Sequence, residues 1–310
     1  MLSTVLREGA CHETIRAVAK DTSVKDKRAV DQVCAWFDAN ARPLPWRDTT
    51  PWGVMVSEFM LQQTPVARVE PVWREWLDRW PTPSALAGQS PGEAVRAWGR
   101  LGYPRRALRL HQAAGVIAAD FADQVPSDEE TLRTLPGVGD YTAAAICAFA
   151  FGQPTVVLDV NVRRVIARAW VGVTEPPAHL TATEKVMAAT VARAATRPAT
   201  WAAASMELGA LVCTRHNPDC GRCPLRRTCR WQAAGAPDNK QPRRSQPRFE
   251  GSDRQVRGLM MRVLRESVGS VSRRELLAVG SDGEQTTRAL ATLEADGLVK
   301  RRGLRYSLPE

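Results

Sequence analysis

The chain contains no run of about 18 apolar residues, so no segment reads as a membrane-spanning helix. Its N-terminus carries Arg7, Glu8, His12 and Glu13 where a secretory signal would need an apolar core, and the expectation is a cytoplasmic protein. Few stretches alternate polar and apolar residues, which excludes a body built of sheets. What is present is positive charge. A net charge of +10 and a pI near 9.7 call for an acidic partner, with nucleic acid the first candidate. Hydrophobic residues make up 44% of the 310 positions, enough for two or three domains with cores. The seven cysteines, in a reducing compartment, read as thiols or ligands rather than disulfides.

The reading along the chain is helical. Residues 1–27 are a polar N-terminal extension. Residues 28–40 form an amphipathic helix with Val30, Val33, Cys34 and Phe37 on one face. A proline-stiffened loop, Arg42 to Arg47, precedes Thr50-Pro51, which has the form of an N-cap followed by proline at the first helical position. Thr64-Pro65 repeats that start signal. Further helices are expected at 83–87, 91–99, 104–120, 128–133, 140–151, 160–170, 181–194 and 197–211. Trp73, Trp76, Trp80 and Trp98 fall at helical spacings and are expected in the core. Residues 233–250 are a Pro- and Arg-rich basic linker. Beyond it, short helices at 253–266, 272–279 and 282–295, the last with Thr286, Leu290 and Leu293 on one face, and a hairpin with a basic tip at 297–308 resemble a winged helix-turn-helix.

The chain is organised around residues 135–164. Leu135-Pro136-Gly137-Val138-Gly139 is a tight turn whose glycines let the backbone approach a ligand closely. The helix that follows presents amides suited to a phosphate. Asp159 then stands before a new helix, in the place of an N-cap. Downstream, Cys213-x6-Cys220-x2-Cys223-x5-Cys229 places four cysteines within seventeen residues. Spacing alone leaves a four-cysteine zinc site and an iron–sulfur cluster both open.

Together these motifs resemble the helix-hairpin-helix DNA glycosylase superfamily. LPWR at 44–47, SEFMLQQT at 57–64, LGY at 101–103, LPGVGDYTAAAI at 135–146, LDVNVRRV at 158–165 and ELGALVC at 207–213 resemble its A/G-specific adenine glycosylase branch (MutY). The resemblance implies an all-α, helix-hairpin-helix glycosylase fold. A six-helix domain would occupy 49–154, an iron–sulfur cluster domain 28–48 with 155–232, and a winged-helix-like domain 251–310. It implies a [4Fe-4S] cluster on Cys213, Cys220, Cys223 and Cys229. The implied partner is double-stranded DNA with a mismatch or oxidised base, bound by a monomer in the cytoplasm at the nucleoid.

Residue roles follow from the same resemblance. Glu58, among Phe59, Met60 and Leu61, would be the general acid. Asp159, held ionised by helix-start amides, would stabilise the oxocarbenium ion. Tyr141 and Asn161 would hold Asp159 and the sugar. Tyr141 stands where lyase-type relatives have lysine, so Schiff-base strand cleavage is not expected. Gln62, Gln63, Thr64, Leu101 and Tyr103 would meet the base stack, Arg42 and Trp46 the adenine, Gly137 and Gly139 the backbone. Arg215 and His216 would meet phosphates. Departures from the family are Val160, Pro104 and the tail. No histidine follows His216, so the tail lacks the Phe-Ser-His loop with which relatives read 8-oxoguanine. Two alternatives stay open: a thymine or uracil mismatch glycosylase of the same superfamily, and a non-catalytic iron–sulfur DNA-binding regulator.

Overall fold

A computed structural model describes residues 24–237 and 248–310. The expected N-terminal extension up to residue 23, with Cys11, and residues 238–247 of the basic linker lie outside the described residues. The protein is mostly helical, as expected, and forms two compact units. Among the described residues, one comprises 48–142 with 248–310; the other comprises 24–47 with 143–237 and includes the first helix, α1 (Val24–Asn40).

In the first unit, α2 (Pro51–Leu61) starts as its sequence dictates. The Thr50 side chain accepts from Gly53 N, and Pro51 fills a position whose N–H would have no helical partner. Every residue from Trp52 to Met60 is buried, so α2 runs through the core. It packs on α3 (Val66–Arg79) and α6 (Arg105–Asp120); α4 (Pro83–Ala87) and α5 (Pro91–Trp98) also pack against α6 or α3. The four tryptophans are core residues. Trp76 meets Trp80 and Trp98 edge-on, with centroids at 4.7 and 5.7 Å, and Trp73 Nε1 donates to Gly53 O at 2.8 Å. Next comes α7 (Glu129–Thr134), and then α8 (Asp140–Phe151), which begins in this unit and from residue 143 belongs to the other.

The C-terminal segment belongs to this unit. Its α13 (Asp253–Glu266) packs on α15 (Gly283–Ala295), where Thr286, Leu290 and Leu293 are buried on the expected face. A three-stranded antiparallel sheet joins β1 (Val271–Ser272), β3 (Arg305–Ser307) and β2 (Lys300–Arg302) in that order. Sequence reading expects a helix from 272. In fact Ser272 ends β1 and caps the shorter α14 (Arg273–Leu277) in a box with Glu275. The segment is seated on α5: Gly92 N donates to Pro309 O at 2.7 Å, and a Cβ on Gly92 would lie 2.5 Å from that oxygen. Arg96 adds bonds to the carbonyls of Arg265 and Ser267.

In the second unit, α1 packs on α11 (Pro198–Leu211), and α11 packs on α9 (Val160–Ile166). Val30, Val33, Cys34, Val165, Trp170, Trp201 and Leu208 form the core. A π-turn, Ala167–Val171, ends α9 at Gly172. It leads to α10 (Ala182–Arg193), which opens with a Thr181–Glu184 capping box. The cysteine segment follows α11 and ends in α12 (Arg230–Ala233).

Candidate functional site

The first unit carries the hairpin and Glu58. Glu58 is 5% exposed and lies on α2 between Ser57 and Phe59. The hairpin turn 135–139 is closed by Val138 N donating to Leu135 O at 3.1 Å. Its two glycines have different reasons to be there. Gly137 has φ 84°, and a Cβ on it would lie 2.7 Å from Arg109 Cβ and 2.9 Å from Phe59 Cε1. Nothing lies within 4 Å of a Cβ on Gly139, so packing does not explain that glycine; open space there leaves the backbone approachable. Gln62 Nε2 reaches Thr142 Oγ1 at 3.5 Å, and Thr64 Oγ1 lies 3.3 Å from Leu101 O. Tyr103 is 53% exposed. Tyr141 is half-buried at the start of α8.

The second unit carries Asp159, which caps α9. Its Oδ1 accepts from Asn161 N at 2.9 Å and Val162 N at 2.7 Å, and its Oδ2 accepts from Asn161 Nδ2 at 2.7 Å. The sequence reading expects these amides to hold the carboxylate ionised. They do pull its pKa down, but burial outweighs them and pushes the carboxyl above the ordinary aspartate value. Asn161 is itself fixed. Its Oδ1 accepts from Arg164 Nη2 at 2.6 Å, and Gly209 packs so close that a Cβ there would lie 2.7 Å from Asn161 Cβ. The same Arg164 donates to Gly209 O and, through Nε, to Cys213 O at 2.7 Å. A line of hydrogen bonds thus runs from Asp159 through Asn161 and Arg164 to the first cysteine.

Cys213, Cys220, Cys223 and Cys229 line one pocket with Arg168 and Gln232. Among the described residues no three His, Cys, Asp or Glu side chains are grouped as a site for a single metal ion. Burial, with the other cysteines adding repulsion, pushes the Cys223 thiol up to about 12 and raises Cys220 and Cys229. Two donors already face the sulfurs: Arg168 Nη1 lies 3.4 Å from Cys213 Sγ, and Gln232 Nε2 lies 3.0 Å from Cys220 Sγ. Arg168 is 1% exposed, stacks on Trp231 at 4.8 Å and donates to the carbonyls of Thr174, Thr214 and Arg215. Cys34 and Cys147 are buried elsewhere.

Arg42 and Trp46 belong to this unit. Arg42 forms a two-pronged pair with Glu207, Nε to Oε1 at 2.9 Å and Nη2 to Oε2 at 2.7 Å, and Arg47 adds a contact at 3.1 Å. The 42–47 loop is therefore latched to α11, and Trp46 is buried. Arg215 pairs with Glu175 at 2.8 Å. Sequence reasoning missed Glu207, Arg164, Arg168, Gln232 and Arg106. Glu207 lies inside the ELGALVC motif and Arg164 inside LDVNVRRV, so both had a signal; the others had none.

The comparisons with known proteins agree with one another. Residues 56–188 match the HhH-GPD superfamily base excision DNA repair protein profile. The chain is 51% identical over 273 residues to the adenine DNA glycosylase of Mycolicibacterium smegmatis, covering 87% of this chain and 92% of that one. It is 49% identical over 280 residues to the Mycobacterium tuberculosis adenine DNA glycosylase, covering 89% and 91%. The Homo sapiens adenine DNA glycosylase is 40% identical over 206 residues, which cover 63% of this chain and 38% of that one. Among solved structures, a thermostable thymine-DNA glycosylase superposes with a TM-score of 0.61 at 24% identity, over 69% of this chain and all of that one. A trapped endonuclease III–DNA covalent intermediate superposes with a TM-score of 0.58 at 21% identity, over 68% and 96%. At those identities the structures establish the fold alone.

Proposed function

The chain belongs to the adenine DNA glycosylases of the HhH-GPD superfamily, enzymes of base excision repair, and from that premise we propose how it removes adenine and from which mispair. The substrate we propose is duplex DNA with adenine opposite 8-oxoguanine or guanine, and the reaction is hydrolysis without strand cleavage. The observation that carries this reading is the pair of buried carboxyl groups: Glu58 is 5% exposed on a helix buried from Trp52 to Met60, and Asp159 is fixed by three N–H donors.

Glu58 holds a proton and delivers it to N7 of the extruded adenine, which makes the base a better leaving group. The C1′–N9 bond breaks with its electron pair going to the base. The Asp159 carboxylate stabilises the positive charge left on the sugar. Water then adds to C1′ and gives its proton to the Glu58 carboxylate, leaving an abasic site, free adenine and the acid restored. Asn161 fixes the orientation of Asp159, and Tyr141 is assigned to the sugar. Tyr141 has no amine, so no Schiff base forms. Extruding the base costs roughly a few kcal/mol, offset in part by Gln63 and Tyr103 entering the stack beside Gln62, Thr64 and Leu101. Arg42 and Trp46 face the adenine, Gly137 and Gly139 the phosphate backbone, and Arg215 a further phosphate.

The four cysteines fit a [4Fe-4S] cluster, since they surround a cavity and two N–H donors face their sulfurs. Bound there, the cluster would hold the 213–229 segment in shape and take no part in hydrolysis. The enzyme acts as a monomer on DNA in the cytoplasm.

Duplexes carrying A·8-oxoG, A·G, T·G and U·G, each assayed for free base and strand integrity, test the reading. Adenine release from the first two with an intact abasic strand supports it. Thymine or uracil release would transfer the enzyme to mismatch repair of pyrimidines, and base-independent binding without release would make it a regulator.

A further inference from the structure

Two residues of the first unit share an unusual backbone. Gln63 (φ 55°) and Tyr103 (φ 47°) both occupy the left-handed region, which side chains other than glycine adopt only when their surroundings force it. They lie in different turns, one after α2 and one after α5, and both are exposed. A single guanidinium is bonded to both turns. Arg106 Nη1 donates to Phe59 O at 2.8 Å, Met60 O at 3.0 Å and Gln62 O at 2.7 Å, carbonyls at the end of α2 and just beyond it. Its Nη2 donates to Thr64 Oγ1 at 3.0 Å and Gly102 O at 3.1 Å. Gln63 is therefore flanked on both sides by residues held by Arg106, and Tyr103 follows one.

The rest of the setting stiffens this clamp. Trp98 Nε1 donates to the same Gly102 O at 3.0 Å. The guanidinium carbon lies 5.2 Å from the Trp98 ring centre and 5.6 Å from that of Tyr103, so the exposed tyrosine stacks on the clamp that fixes its backbone. Burial pushes the Arg106 pKa down to about 10, so it keeps its charge at neutral pH. Its Nε is buried with no hydrogen-bond partner among the described residues, while the two Nη ends carry five bonds between them. A lysine ammonium, a point charge with three donors, cannot span acceptors on two turns.

We infer that Arg106 is a positioning residue that presents Gln63 and Tyr103 to the opened duplex as one preformed pair. The inference rests on the reading above, in which those two side chains enter the stack. Its physical content is preorganisation: the left-handed conformations are imposed when the protein folds, so DNA does not have to order the two turns on binding.

The test uses the full-length protein and a duplex carrying 2-aminopurine beside the target adenine, whose fluorescence reports extrusion. Arg106→Lys should lower the extrusion equilibrium by roughly tenfold or more, because small misplacements of positioning groups have large effects. Its affinity for an undamaged duplex should stay within about twofold, since phosphate contacts are kept. In a Gln63→Ala/Tyr103→Ala background, Arg106→Lys should add nothing further, the mark of groups that act as a unit. A lysine variant with lowered thermal stability but wild-type extrusion, or one whose effect adds in full to the double alanine variant, would overturn the inference. Should the lysine variant not fold, Thr64→Val removes one bond of the clamp and is expected to show a smaller loss in the same assay; unchanged extrusion there also counts against it. Wild-type extrusion by the double alanine variant would instead overturn the wedge reading itself.

Discussion

The two units make opposite use of a carboxyl group. Around Glu58 the first unit supplies a helix whose residues 52–60 are all buried and mostly apolar. Around Asp159 the second unit supplies a relay of polar groups, Asn161, Arg164 and the Cys213 carbonyl, each at 2.6–2.9 Å from the next. On the proposed reading, similar side chains are given different work by what surrounds them: a proton donor in the first setting, an oriented anion in the second. Asp159 complicates the contrast, because burial raises its pKa despite those donors. Its carboxylate is held at a cost that the hydrogen bonds only partly offset.

The largest effect is expected from removing either group. Asp159→Asn and Glu58→Gln should each slow single-turnover adenine release by on the order of a hundredfold or more while duplex affinity survives. If both keep wild-type turnover, the contrast has no catalytic meaning and Asp159 is an N-cap only. Gly209→Ala comes next. A Cβ there would press on Asn161 Cβ and backbone, so the variant should lose about 1–3 kcal/mol of stability by thermal or denaturant unfolding.

The long-range polar partners were the less legible in sequence. Thr50-Pro51, the glycine turn, Asp159 and the cysteine spacing are local patterns with local meaning, and they pointed to the helices and the site. Glu207, Arg168, Gln232 and Arg106 act across long stretches of chain: Arg42 meets Glu207, Arg168 meets the cysteine segment, and Arg106 meets the end of α2. An arginine in an amphipathic helix carries no sign of which carbonyls it will reach. The raised pKa of Asp159 was hidden for the same reason, since burial is a property of the packed unit.

Smaller effects sharpen the comparison. Asn161→Ala removes a bond that lowers the Asp159 pKa, so that pKa should rise further. Activity that needs the carboxylate falls as pH drops through this pKa; the acid limb of the pH–rate profile should therefore move to higher pH, with the variant closest to wild type at alkaline pH. An unmoved limb would detach it from Asp159. Purified protein should be brown, and Gln232→Leu, which removes a donor to Cys220 Sγ, should shift the reduction potential of the centre downward in voltammetry. Stoichiometric zinc without iron or sulfide would refute the cluster.

The smallest expected change concerns the hairpin tip. Arg301→Ala with Arg302→Ala should reduce affinity for all duplexes alike and flatten the salt dependence, by roughly 0.9 in slope for each phosphate no longer neutralised. A fall in the A·8-oxoG preference at unchanged slope would mean that the tail reads the lesion.

The central claim is the division of labour between acid and anion, and leaving-group rescue tests it most directly. A duplex whose target adenine is already methylated at N7 carries a leaving group that needs no proton. On it, Glu58→Gln should release base at the wild-type rate above the spontaneous background, whereas Asp159→Asn should remain slow. Equal impairment of both variants on that substrate, or rescue of Asp159→Asn instead, would contradict the account.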